Sequence, residues 1–146
     1  MKRSTKYPNT STFCWHNANP KGRLTGDCTY RAISTACGFS YEKVVRDMAE
    51  LQCRTGYASR DLIDLIMQEY GWSKMRQPRK SDNTKYTGKE FCKIQQKKIS
   101  KDGIVIADRI FCSIGGHHVV AIVDGKVNDI WDSTDGCIGN YWIKMK

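Results

Sequence analysis

The sequence predicts an α+β domain in which N-terminal helices pack on a C-terminal antiparallel sheet. Three observations carry that expectation. Between residues 27 and 70 the apolar residues recur at helical spacing. From residue 104 onward β-branched residues dominate in alternating runs. Between two of those runs stands Asp124-Gly125, a strong hairpin signal. At 146 residues and 40% hydrophobic, the chain suits a single domain that builds a core without disulfides or a metal.

Residues 1–13 are polar and patternless and read as an arm, leaving 14–146 as the domain. Asn19-Pro20-Lys21-Gly22 and Leu24-Thr25-Gly26-Asp27 read as turns. A first helix is expected from about Asp27, with Ala32, Ile33, Ala36 and Cys37 on its apolar side and Gly38 at its end. Ser40 is placed to cap a second helix, whose Tyr41, Val44, Val45 and Met48 keep the helical period. Ser59 opens a third, with Leu62, Ile63, Ile66 and Tyr70 inward and Gly71 ending it. Thr87-Gly88-Lys89-Glu90 has the capping-box spacing for a fourth, short and basic helix. Strands are expected over 104–114, 118–123, 126–132 and 141–144. A two-residue turn at Asp124-Gly125 pairs Val123 with Lys126, and counting outward makes Asp129, not Asp132, the diagonal neighbour of His118.

Composition narrows the setting. No apolar run reaches the ~20 residues of a membrane span, and Met1-Lys2-Arg3-Ser4 leads into polar sequence, so the protein is expected to stay in the cytoplasm. Seven cysteines at irregular spacing, with no C-x-x-C pair, suit a reducing compartment in which most thiols act as small hydrophobes. The net charge of +9 is concentrated: residues 72–101 hold ten Lys and Arg against two acids. That segment is either a solvated face that maintains solubility or a surface for an acidic partner.

Cys28 follows Gly26-Asp27 at the expected helix start, where free N–H groups and the helix dipole favour a thiolate and can stabilise an oxyanion. A thiolate nucleophile needs a base in space rather than in sequence, and His118 is the candidate. Gly115 and Gly116 precede His117 and His118, and glycines there let a substrate backbone approach the imidazole. His16 with Cys14 supplies too few ligands for a metal, and no cofactor is expected.

Gly26-Asp27-Cys28-Thr29-Tyr30-Arg31-Ala32-Ile33 resembles the opening G-D-C-x-x-R-A-I of a group of phage and prophage proteins with a papain-like fold. The resemblance continues through Asn19-Pro20-Lys21-Gly22, Tyr70-Gly71-Trp72, Gln77-Pro78-Arg79-Lys80 and Asp82-Asn83-Thr84-Lys85-Tyr86. It then takes in the segment from His118-Val119-Val120 to Asp124-Gly125-Lys126, Asp129-x-Trp131-Asp132 and Gly139-Asn140-Tyr141-Trp142. It implies a papain-like hydrolase working in a bacterial host cytoplasm. Papain itself is similar in order: a cysteine at a helix start, a late histidine, then Asp129-Ile130-Trp131 where papain has Asn-Ser-Trp. The position of papain's oxyanion glutamine falls on Gly22, so Asn17 or Asn19 is left to fill that role, with Asn19 the candidate. Cys28-x-x-Arg31-Ala32-Ile33 also resembles the nucleophile segment of ovarian-tumour-type deubiquitinases, although Gly26-Asp27 inverts their Asp-Gly.

The leading expectation is a cysteine hydrolase acting on a peptide or isopeptide bond: Cys28 attacks the carbonyl, His118 shuttles the proton and Asp129 orients the ring. Gly115, Gly116, His117 and Trp131 would line the cleft. Deamidation and acyl transfer use the same constellation and differ in which nucleophile resolves the thioester. The substrate is a protein or peptide, acidic if the basic segment takes part, and oligomeric state is open. The competing expectation is a non-enzymatic host-interaction or nucleic-acid-binding protein, with Trp72, Tyr86 and Phe91 interleaved among the charges of 72–101 as base stacking would use, although these aromatics fit equally well as anchors of a loop on the core.

Overall fold

The chain was analysed as a computed structural model, which describes residues 3–24 and 26–144. Met1, Lys2, Met145, Lys146 and Thr25, the last a member of the turn expected before the first helix, lie outside the described residues. After a single helical turn, α1 (Arg3–Lys6), and a short strand, β1 (Phe13–Trp15), come three helices: α2 (Cys28–Cys37), α3 (Tyr41–Thr55) and α4 (Ser59–Glu69). Strand β2 (Trp72–Met75) and helix α5 (Gly88–Lys97) follow, and then β3 (Arg109–Ile114), β4 (His118–Val123), β5 (Lys126–Asp129) and β6 (Ile138–Lys144).

Local chemistry sets the helix ends. The Ser40 side chain accepts from the Lys43 N–H at the start of α3, and Thr87 and Glu90 close the full capping box at α5. Helix α4 begins at Ser59 with Ala58 in the N-cap position and no side-chain cap bond. Val44, Met48 and Leu51 of α3 are buried together with Leu62 and Ile66 of α4, the stripe that the helical period predicts.

The sheet has six strands in the order β1-β5-β4-β3-β6-β2. It is mixed rather than antiparallel, because β1 runs parallel to β5 while every other neighbouring pair is antiparallel. Alternation splits the core between its faces. Phe111, Ala121 and Trp142 pack with α2, α3 and α4, whereas Ile110, Cys112, Val120, Ile122 and Ile143 pack on the other face with Phe91 and Cys92 of α5.

Several boundaries differ from expectation. The arm does not run to residue 13: Phe13 is fully buried as the first residue of β1, because an apolar residue there completes the α5-side core. The expected 104–114 strand narrows to Arg109–Ile114, since Ile104 is buried outside the ladder and the Val105 N–H donates to the Tyr141 hydroxyl instead. Strand β5 stops at Asp129 rather than 132, and β6 starts at Ile138, ahead of the expected 141. The β4–β5 turn is the one the sequence predicts: Asp124 and Gly125 both take positive φ (51° and 76°), the type I′ geometry that fits strand twist.

Candidate active site

Each component of the site sits at the end of an element. Cys28 is the first residue of α2, His118 the first of β4 and Asp129 the last of β5. The hairpin pairs Val123 with Lys126, Ile122 with Val127 and Ala121 with Asn128, so its register carries Asp129 toward His118. On the outer side β1 fixes the Asp129 backbone: Trp15 is its register partner, and the His16 N–H donates to its carbonyl at 2.9 Å.

Cys28, His118 and Asp129 are neighbours in the fold. His118 Nε2 lies 2.5 Å from Asp129 Oδ2. With Nε2 engaged, Nδ1 is the ring nitrogen left for the Cys28 thiol, which opens into the same cleft as His118. The interaction with His118 is the chief reason the Cys28 pKa falls below its ordinary 9.0; burial opposes the shift, and the His118 charge, the Val119 N–H and Arg31 add to it. For His118, burial favours the neutral ring, but the bond to Asp129 and the neighbouring Cys28 outweigh it and raise its pKa to about 9. Both shifts favour a thiolate–imidazolium pair near neutral pH. Burial pushes Cys37 and Cys92 up to about 12 and Cys112 well above its ordinary value.

Behind the triad lies a buried ionic relay. Asp129, 3% exposed, accepts at Oδ1 from Arg31 Nη1 at 2.5 Å and from the Ile130 N–H at 2.7 Å. Arg31 Nε donates to Asp27 Oδ1 at 2.8 Å, and Asp27 Oδ2 accepts from Asn19 Nδ2 at 2.8 Å and from the Tyr41 hydroxyl at 3.0 Å. Burial alone would raise the Asp27 pKa, yet the bonds from Arg31, Asn19 and Tyr41 hold it below the usual carboxylate value. Removing one member of such a buried pair typically costs about 3–5 kcal/mol, because a charge is left uncompensated.

This network overturns one expected role. Asn19 is not placed as an oxyanion donor: it is 7% exposed, its amide nitrogen donates to Asp27 and to the Tyr41 hydroxyl, and its amide oxygen accepts from the Lys21 N–H at 2.8 Å. Asn17 donates to the Arg23 carbonyl at 3.1 Å and accepts from the Asn19 N–H at 3.0 Å. Asp27 occupies the N-cap position of α2 but makes no side-chain cap bond, because its carboxylate serves Arg31, Asn19 and Tyr41. The first-turn N–H groups of α2, beginning at Cys28, therefore receive no cap from it.

Cys28 and His118 open into a cleft of about 570 Å³ between α4 and the sheet, walled by Asp61 and Asp64 of α4, Lys74 of β2 and Asn140 of β6. Gly116 and His117 line the same cleft. A second cleft of about 360 Å³, containing Gly115, Trp131 and Ser133, meets the first at His117 and His118. Trp131 lies against the His118 ring at 4.9 Å between centroids. The sequence reading thus brings together Cys28, His118, Asp129, Gly115, Gly116, His117 and Trp131, and misses Arg31 and Asp27. Their signal was spacing: Arg31 stands at i+3 from Cys28 and i+4 from Asp27, on one helix face.

The stacking surface expected in the basic segment is not built. Trp72, Tyr86 and Phe91 are 6%, 2% and 0% exposed, because each anchors its segment to the core. Part of the charge is also internally paired, with Lys74 on Asp64, Lys80 on Glu90 and Lys89 on Asp135. Among the described residues, no cluster of three or more His, Cys, Asp or Glu side chains is arranged to hold a metal, and no helix is long and apolar enough to cross a membrane. Comparison with family models, curated proteins and solved structures finds no match to this chain.

Proposed function

We propose that the chain is a papain-like thiol hydrolase that cleaves an amide bond, peptide or isopeptide, through Cys28, His118 and Asp129. The observation that carries this reading is the meeting of Cys28, at the start of α2, and His118 in one cleft, with His118 Nε2 held by Asp129 Oδ2 at 2.5 Å. In the reaction the Cys28 thiolate adds to the amide carbonyl. The oxyanion forms beside the uncapped first-turn N–H groups of α2, and the Cys28 N–H takes the role first assigned to Asn19. His118 passes its proton to the leaving amine as the tetrahedral adduct collapses to a thioester, then accepts one from the water that hydrolyses it. Asp129 holds the ring in place and balances the imidazolium.

The resemblance to phage proteins supports a bacterial cytoplasm as the place of action, with a host or phage protein as substrate. Lys85, exposed on the wall of a groove shared with Gly115, Gly116 and Asn140, supports a preference for acidic substrates. Mass spectrometry of host lysate incubated with wild type or Cys28→Ala tests the reading and sorts the chemistry. New termini that depend on Cys28 indicate proteolysis; amide-to-acid shifts at glutamine indicate deamidation; new amide cross-links indicate acyl transfer. A lysate indistinguishable between the two proteins contradicts it.

A further inference from the structure

We propose that Arg31 is a positioning residue for the Cys28–His118 pair: its guanidinium, forked between Asp27 and Asp129, fixes the carboxylate that aims the His118 ring at Cys28. The proposal rests on the thiol-hydrolase reading of the site and adds a residue that acts through Asp129 rather than on substrate.

The argument begins with the two oxygens of Asp129. One faces His118 and the other is held by Arg31 and the Ile130 N–H, so rotation of the carboxylate away from the ring would break both of those bonds. Arg31 is itself fixed from behind by Asp27, which Asn19 and Tyr41 hold in turn. Asp27, Cys28 and Arg31 share one turn of α2, so one rigid element sets the nucleophile and, through Arg31, the acid that aligns its base. A planar guanidinium spans two carboxylates in a way that a lysine ammonium, a point charge, does not.

The relay also has a charge role. Without Arg31, Asp27 and Asp129 would be two buried carboxylates with no shared cation, and the carboxylate that faces the His118 ring would lose the partner that fixes its other oxygen. Other charges face the pair from the cleft: Arg60, Asp61 and Asp64 on α4 and Lys74 on β2. Asp64 and Lys74 pair with each other at 3.3 Å and are about half exposed, and Arg60 and Asp61 are exposed, so water screens all four. The Arg31 side chain is 7% exposed and is not screened in this way.

The test needs no substrate. Cys28 alkylation by iodoacetamide is followed against pH by peptide mass spectrometry in wild type, R31K, R31M and the double variant D27N/R31M, with circular dichroism as the check on folding. D27N/R31M removes the carboxylate that R31M would orphan, and it carries the test if R31M does not fold. The expected result is that R31M or D27N/R31M moves the acid-side midpoint of Cys28 upward by roughly one pH unit or more, with R31K intermediate. A residue that merely supports the fold would lower the melting temperature and leave the midpoint in place. A folded R31M or D27N/R31M with the wild-type midpoint overturns the proposal while leaving the triad intact. If wild-type Cys28 itself titrates no lower than the exposed Cys53, the thiolate reading falls, and the Arg31 proposal falls with it.

Discussion

His118 and Asp129 meet at 2.5 Å because a two-residue turn holds β4 and β5 in register, and a single-residue slip would have brought Asp132 forward in place of Asp129. Asp132 instead caps its own turn, accepting from the Thr134 N–H at 2.9 Å and the Thr134 hydroxyl at 2.6 Å. Asp129→Ala therefore lowers turnover by roughly 10²–10⁴-fold, the range associated with general acid–base function. Asp129→Asn retains more activity, since an amide still orients the ring, and Asp132→Ala loses stability rather than turnover. Rates and melting temperatures of the three variants check this ordering.

The thiols divide by environment. Cys28 is the described cysteine whose pKa is lowered, whereas Cys37, Cys92 and Cys112 are raised by burial. Near neutral pH iodoacetamide modifies Cys28 first, ahead of the exposed Cys53 and Cys137, even though Cys28 is only partly accessible. Site-resolved labelling rates measure this directly, and faster labelling of Cys53 or Cys137 contradicts it.

The two pKa shifts define a pH window. In the proposed reaction, thiolate forms above the lowered Cys28 midpoint, and the imidazolium that would protonate the leaving amine persists until pH rises through about 9. Amide turnover is therefore bell-shaped, with its alkaline limb near 9 and its acid limb below the ordinary cysteine value of 9.0. Alkylation of Cys28 lacks the alkaline limb, because the thiolate survives loss of the imidazolium proton. Identical profiles for the two reactions would contradict the division of roles.

Within the basic segment the structure separates free charges from committed ones. Lys80 is bound to Glu90 at 2.6 Å and lies over the Tyr86 ring, while Lys85 is exposed at the groove. Lys85→Gln weakens binding of a Glu-rich peptide several-fold at low salt and little at high salt, with no change in the chemical step. Lys80→Gln acts mainly on stability. Equal binding by Lys85→Gln at every ionic strength returns the segment to a solubilising role.

What the sequence made legible was local. Ser40, Thr87 with Glu90, and Asp124-Gly125 each fix a helix start or turn through bonds within a few residues, and the hairpin register followed from the turn. Strand β1 was illegible: three residues, Phe-Cys-Trp, are too few to show alternation, and its parallel partner is far along the chain. Strand β2 was hidden by the Lys74 charge, since this edge strand buries only Trp72 among its four residues. Asn19 was misassigned because its nearness to Cys28 in sequence gave no view of Asp27, to which it is bound. Arg31 could be placed beside Cys28 by helix spacing, but its bond to Asp129 spans 98 residues and appears only in the fold.

The central claim is that Cys28 acts as a nucleophile activated by His118, and covalent capture tests it most directly. Wild type and the folded variants Cys28→Ala and His118→Ala are exposed at neutral pH to a peptide carrying an electrophile that mimics the scissile carbonyl, and intact mass is recorded. The account predicts a single adduct on Cys28 in wild type, none in Cys28→Ala and a rate reduced by roughly 10²-fold or more in His118→Ala. An adduct that forms as fast in His118→Ala as in wild type, or that falls on another cysteine, would contradict it.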